Sequence, residues 1–190
     1  MKIVVFNGSP RADGNTAGLL QAALAGMPAD AQVQVIDLYS LLPMPCTACG
    51  CCKTQDTCMF SDLSETDVLL RRADAFIWAL PVYNYSVPAP VKALLDRFQR
   101  YYELKERGEE VFADCKRPAL LLLTAGRTGL YAVDIIKKQL DNAGRYVGFV
   151  LSDTVFAAET DKTAPQDAVL KAAAEAGMRL CQNTQVGYEK

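Results

Sequence analysis

Short apolar runs, each strand-length and each cut off abruptly, recur along this chain with helix-length stretches between them. IVVF at 3–6, AFIWAL at 75–80 and ALLLLT at 119–124 show no polar alternation, which is how strands buried on both faces read. They stop at Asn7-Gly8-Ser9-Pro10, at Pro81 and at Ala125-Gly126, residues that do not continue a strand. QVQVIDL at 32–38 alternates before it turns apolar, which predicts a second strand near an edge. Residues 146–151 read as the fifth strand, resumed around Val155-Phe156. Helices are expected over 15–27, 63–72, 87–102, 131–142 (stopped by Gly144) and 164–182. Residues 39–45, with two prolines, and the polar stretch 105–117 read as irregular. Strands alternating with helices specify one α/β domain over 1–190, with a parallel sheet covered on both faces. Right-handed crossovers leave few topologies, and the order 2-1-3-4-5 is expected. Its ligand site lies beyond the carboxyl ends of strands 1 and 3, where the winding reverses.

Three loops should therefore carry the chemistry. The first, NGSPRADGNT at 7–16, lacks the GK[ST] of a Walker A loop and has its glycines too far apart for GxGxxG. It offers two hydroxyls (Ser9, Thr16), an amide (Asn15) and one guanidinium (Arg11) ahead of a helix whose positive dipole end suits a phosphate. The plainer alternative is a βα turn in which Asp13 or Asn15 caps the helix. Ser61, Asp62 or Ser64 is the expected cap of the helix at 63–72. The second loop, LPVYNYSVPAP at 80–90, puts Tyr83 and Tyr85 at the predicted site mouth, where they can stack on a ring while Asn84 reads its polar edge. Alternatively both tyrosines cover the sheet end or a subunit contact. The third, TAGRTG at 124–129, should flank the other two.

Five of the seven cysteines, Cys46, Cys49, Cys51, Cys52 and Cys58, crowd into one loop. Cys46, Cys49, Cys52 and Cys58 give C-x2-C-x2-C-x5-C, a metal or redox pattern in a cytosolic chain rather than a disulfide framework. Structural zinc takes two well-separated pairs, whereas this compact spacing is nearer to ferredoxin-type cluster loops. The alternative is a reduced, solvent-facing thiol loop with Cys51 or Cys52 open to oxidation. Cys115 and Cys181 read as structural. The chain has no histidine, which excludes Ser-His-Asp and Cys-His catalysis and every histidine-bearing metal site. Chemistry must come from cysteine, carboxylate, hydroxyl or a bound cofactor.

GSPRADGNT resembles the phosphate loop of the flavodoxin-like NAD(P)H-dependent FMN reductases, a family that includes the iron–sulfur flavoproteins. PVYNYSVPAPVKALLDR resembles that family's second signature, a PVY-type loop followed by a helix carrying Lys92, Asp96 and Arg97. The likeness runs from residue 2 to about 151. It implies a flavodoxin-like three-layer sandwich. It also implies FMN held by Ser9, Arg11, Asn15 and Thr16 at the phosphate, by Pro81, Val82, Tyr83 and Asn84 at the isoalloxazine, and by Thr124, Ala125 and Gly126 against the flavin. By the same likeness Cys46, Cys49, Cys52 and Cys58 would ligate a [4Fe-4S] cluster, although the acid pair that often follows the last cysteine is Ser61-Asp62 here. Lys92, Asp96 and Arg97 would serve helix packing or a dimer contact, with Lys92 and Asp96 also spaced for a surface pair. The implied activity is transfer of electrons from NAD(P)H through FMN to a quinone, a nitro or azo compound, free flavin or an iron–sulfur centre. A flavodoxin-type carrier acting with a redox protein, and a redox-sensing interaction module, are the other readings. A homo-oligomer, dimer or tetramer, is implied as well.

The balance of 20 basic and 22 acidic side chains, net −2, makes no electrostatic case for nucleic acid or an anionic membrane. No apolar run is long enough to span a bilayer. The four apolar residues after Lys2, cut off by Asn7-Gly8, do not make a signal peptide. A cytoplasmic location is expected.

Overall fold

The computed structural model describes residues 1–112, 115–127 and 129–185. Positions 113 and 114 of the expected irregular segment, and Thr128 of the third loop, lie outside the described residues. Five strands form one parallel sheet in the order β2-β1-β3-β4-β5. They are β1 (Lys2–Asn7), β2 (Gln32–Asp37), β3 (Ala75–Pro81), β4 (Arg117–Thr124) and β5 (Phe149–Ala157). The expected order, with the alternating strand at an edge, is the one found.

Alternation within each buried strand sorts the side chains between two helical layers. Ile3, Val5, Ala75, Ile77, Ala79, Leu120 and Leu122 pack under α1 (Asn15–Ala25) and α7 (Asp167–Gln185). Val4, Phe6, Phe76, Trp78, Leu80, Leu121 and Leu123 meet α3 (Ser64–Arg72), α4 (Ala89–Arg97), α5 (Gln99–Glu106) and α6 (Leu130–Val147) on the opposite face; a single turn, α2 (Leu38–Leu41), also lies here. The second layer is held by large rings: Phe6 stacks on Trp78 with centroids 4.4 Å apart, and Phe149 leans on Trp78 at 5.8 Å. A strand buried on both faces can show no hydrophobic alternation, because both sides need apolar cover.

Several boundaries depart from expectation, each for a visible reason. Residues 38–41 coil into α2 because Asp37 accepts from the amides of Tyr39 and Ser40, a side-chain cap at the strand end. The helix expected over 87–102 is two. Phe98 ends α4 with its amide bonded to Leu95 three residues back, and α5 runs on to Glu106. Leu63 rather than a polar residue stands at the N-cap of α3, because Asp62 is engaged elsewhere. Lys92 and Asp96 do form the expected pair.

Gly144 does not stop α6; the helix passes through it and ends at Gly148, which adopts φ +69°. Gly144 serves close packing instead: a Cβ there would sit 2.3 Å from the Phe149 carbonyl oxygen. Gly144→Ala should therefore destabilise the protein by about 1–3 kcal/mol through overpacking, even though alanine is the better helix former by about 1 kcal/mol. Thermal unfolding checks this, and an unchanged or raised Tm would count against the packing role.

Strand 5 likewise begins later and runs further than expected. Its register against β4 slips by one residue at Ser152, whose hydroxyl donates to the Ala119 carbonyl. Arg117 opens β4 and donates to carbonyls of Leu70 and Ala73 at the end of α3 and of Val147 and Gly148 at the end of α6. A guanidinium there satisfies carbonyls that helix ends leave unpaired.

Candidate functional site

Four chain segments leave the carboxyl ends of β1, β3, β4 and β5 and meet at one edge of the sheet. Backbone bonds join them. Gly8 N–H donates to Ala79 O at 2.9 Å, Val82 N–H to Thr124 O at 2.8 Å and Ala125 N–H to Ala157 O at 2.9 Å. Between them lies a cavity of about 210 Å³. Of the residues expected from sequence, Ser9, Arg11, Asn15 and Thr16 line it from the first loop. Pro81, Val82 and Tyr83 line it from the second, and Thr124 and Gly126 from the third. Asn84 and Ala125 do not. Asn84 turns outward in a tight turn with Tyr85, at φ +49° and +61°, closed by paired bonds between Tyr83 and Ser86. Ala125 is buried behind the cavity wall and gives both its backbone groups to neighbouring segments, bonding Ala157 and Thr160.

The first loop is braced by its own hydrogen bonds. Ser9 N–H donates to Asn7 Oδ1 at 3.1 Å, and Arg11 N–H donates to Ser9 Oγ at 3.2 Å. Thr16 and Thr124 are both buried, with hydroxyls 2.7 Å apart. One hydroxyl donates to the other, so the pair keeps one O–H to offer. Neither Asp13 nor Asn15 caps α1. Gly14 stands at the N-cap and supplies no side-chain acceptor, so the first-turn N–H groups, which have no intrahelical partner, face the cavity uncapped. Asn15 instead donates its side-chain amide to Thr160 O at 3.0 Å. Among the described residues no carboxylate pairs with the Arg11 guanidinium. An uncapped helix start, a free guanidinium and a buried hydroxyl pair form a donor set suited to a phosphate monoester, and Tyr83 and Val82 add apolar surface beside it. The donor chemistry fits FMN.

Thr160 and Asp161 complete the cavity wall and were not foreseen. Thr160 N–H donates to Ala125 O at 2.9 Å, and Glu159 reaches this turn at φ +58°. Gly126 lets the Asp161 carboxylate lie close against the backbone, since a Cβ there would sit 2.1 Å from its oxygen and push that side chain aside. The usable signal was the end of the fifth strand. With β5 running to Ala157, the residues after it fall at the same edge as the other three loops.

The cysteine loop forms a second centre on the α4–α5 side. Cys46, Cys49, Cys51, Cys52 and Cys58 all line one cavity of about 430 Å³, together with Arg97, Arg100 and Glu103. Left-handed Ala48 (φ +53°) and Gly50 (φ +78°) curl the chain between the first cysteines. A non-glycine residue there costs about 1–2 kcal/mol, so the surrounding contacts must impose the curl. Burial, then the neighbouring Glu103 carboxylate, pushes the Cys52 thiol up, with Cys46 and Cys58 adding to it. Among the described residues, no three thiols or carboxylates converge on one metal-ion position. Five soft thiol donors around one roomy cavity suit a multi-iron cluster in their chemistry. Cys181 is buried as expected of a structural residue, but Cys115 is exposed. Beneath the loop, Tyr101 bonds Asp67, and burial, then that bond, holds its phenol well above the ordinary range.

Comparison with known proteins bears on both centres. The family model for NADPH-dependent FMN reductase matches residues 1–163. An iron-sulfur flavoprotein of Methanosarcina thermophila is 37% identical over 99 residues, covering 51% of this chain and 52% of that protein. One from Methanocaldococcus jannaschii is 34% identical over 99 residues, 51% of each. The chain spans about half the length of these curated relatives. Among solved structures, the NAD(P)H:quinone oxidoreductase from Methanothermobacter marburgensis superposes with a TM-score of 0.67 at 17% identity, covering 100% of this chain and 98% of that one. At that identity the likeness speaks to the fold. No helix among the described residues is long and apolar enough to cross a membrane.

Proposed function

The chain belongs to the NADPH-dependent FMN reductase family, and on that premise we propose that it is an FMN-dependent NAD(P)H oxidoreductase. The electrons would pass to a quinone, a nitro or azo compound, free flavin or an iron–sulfur centre in its own cysteine loop. The observation that carries this reading is the uncapped start of α1, which opens with the unpaired Arg11 onto a cavity bounded by Tyr83. Bound FMN supplies the hydride-accepting and one-electron chemistry that no side chain here can.

The protein's part is binding, orientation and shielding. Arg11, Ser9, Asn15 and the α1 amides would hold the phosphate, and the spare Thr16/Thr124 hydroxyl would donate to the same ligand. Pro81, Val82 and Tyr83 would lie against the ring, and Gly126 leaves backbone within reach of it. Asn84 and Ala125, absent from the cavity lining, would act through the turn and wall they build. With no histidine in the chain, proton exchange would fall to water, to the ring itself or to the Asp161 carboxylate and Tyr83 phenol of the cavity wall. Cys46, Cys49, Cys52 and Cys58 would hold a [4Fe-4S] cluster, supported by the donor set and by the likeness to iron-sulfur flavoproteins.

A second reading, an electron carrier that docks a redox protein, draws on one observation. Tyr85 on the second loop and Leu130 and Tyr131 in the first turn of α6 stand exposed beside the site, with the Tyr85 and Tyr131 rings 6.1 Å apart. A second copy of the chain would cover the same apolar rim, in keeping with a dimer or tetramer.

The visible spectrum of protein purified without oxygen, followed by NAD(P)H oxidation with a quinone acceptor, tests the proposal. Flavin bands and turnover are expected. Protein that stays colourless when FMN is supplied would sink it, and flavin binding without turnover on any acceptor would favour the carrier. Light scattering on the same sample tests the oligomer, which a monomer mass would oppose.

A further inference from the structure

Arg97 was expected to serve helix packing or a dimer contact, yet its guanidinium lies inside the molecule at the base of the cysteine loop. Its side chain is only 4% exposed. Nη1 donates to the Met44 carbonyl and to Asp62 Oδ1, each at 3.0 Å, and Nη2 donates to the Phe60 carbonyl at 2.9 Å. Asp62 in turn accepts from the Met44 amide at 2.8 Å. The Phe60 ring covers the guanidinium at 5.3 Å. Met44 precedes Cys46 by two residues, and Phe60 follows Cys58 by two. One side chain of α4 thus ties both ends of the loop together just outside its first and last candidate ligands. Two further arginines secure the interior. Arg100 grips the Asp56 carboxylate and carbonyl at 2.6–2.9 Å, and Arg107 donates to the Cys52 carbonyl at 2.5 Å.

We propose that Arg97 is a positioning residue for the cysteine centre, closing the neck of the loop so that Cys46, Cys49, Cys52 and Cys58 face one cavity before iron arrives. This rests on the cluster reading above. The physical reason is chain entropy. An untied loop of this length must gather four thiols at the cost of its own freedom, and a tied one has met that cost during folding. Three acceptors on two chain segments need a planar fork with several fixed donors, which lysine does not have.

Wild type, Arg97→Gln and Arg97→Lys are reconstituted anaerobically with iron and sulfide. Iron per chain, the rate of iron loss to a chelator and the cluster's midpoint potential are then measured, with FMN titration as the check on folding. Wild type should load about four irons. Arg97→Gln should hold iron about tenfold or more less tightly, the scale of outer-shell substitutions at metal sites, and its potential should shift. Arg97→Lys should resemble Arg97→Gln, because charge without the fork does not close the neck. Should Arg97→Gln fail to bind FMN, Asp62→Asn, which removes one strand of the same tie, takes its place with a smaller loss of the same sign. A variant that keeps its iron and potential as wild type does overturns the inference alone, as does full rescue by lysine. A wild type that takes up no iron overturns the cluster reading and the inference with it.

Discussion

Changing Arg11 and Asn15 together to alanine should weaken FMN binding about a hundredfold or more, since hydrogen bonds to a charged phosphate contribute about 1.5–3 kcal/mol each and Arg11, being exposed, sits at the low end. The two side chains act differently. Arg11 brings the cavity its unpaired positive charge. Asn15 also donates to Thr160 O, so its loss frees the segment after β5 that completes the cavity wall. Titration with riboflavin, which lacks the phosphate, separates the two effects. Arg11→Ala alone should leave riboflavin affinity nearly unchanged, and Asn15→Ala should weaken both ligands. An unaltered FMN titration of the double variant would remove the first loop from the phosphate assignment.

Cys49→Ala should bring reconstituted iron from about four per chain to near zero, because it removes one of the four thiolates expected to hold a cubane and leaves no side-chain oxygen to replace it. Flavin binding should persist. Cys49 is exposed on a loop of the α4–α5 side and none of the segments walling the cavity at the strand ends includes it, so the fold loses little. Cys51→Ser is the internal control. It lines the same cavity but lies outside the C-x2-C-x2-C-x5-C spacing, and it should retain iron. Iron-free wild type that is yellow and active would take the cluster out of the account.

Much of this architecture was readable beforehand because buried parallel strands leave an unambiguous trace. The runs at 3–6, 75–80 and 119–124 are apolar on both faces for want of any face turned to water, and the observed order β2-β1-β3-β4-β5 is one of the few that right-handed crossovers allow. Nine of the eleven residues expected at the first cavity line it. The two that do not, Asn84 and Ala125, are displaced by backbone details, a left-handed turn and a pair of cross-loop hydrogen bonds, that residue type does not encode. Gly144 was misread because a glycine in a helix reads as a stop, whereas here it is the absence of a side chain against Phe149 that matters.

What the sequence determined by itself was local or periodic: strand and helix order, the small-residue loop before α1, and the thiol spacing, each set by interactions between residues near in the chain. Tertiary structure decided the rest. It brought Thr160 and Asp161 to a cavity begun at Ser9, and it made Arg97, expected to serve helix packing or a dimer contact, the tie across residues 44 and 60. The reason is that a carbonyl is the same group at every position. Which donors it meets across a long sequence separation depends on how layers pack, and no local pattern of side chains records that.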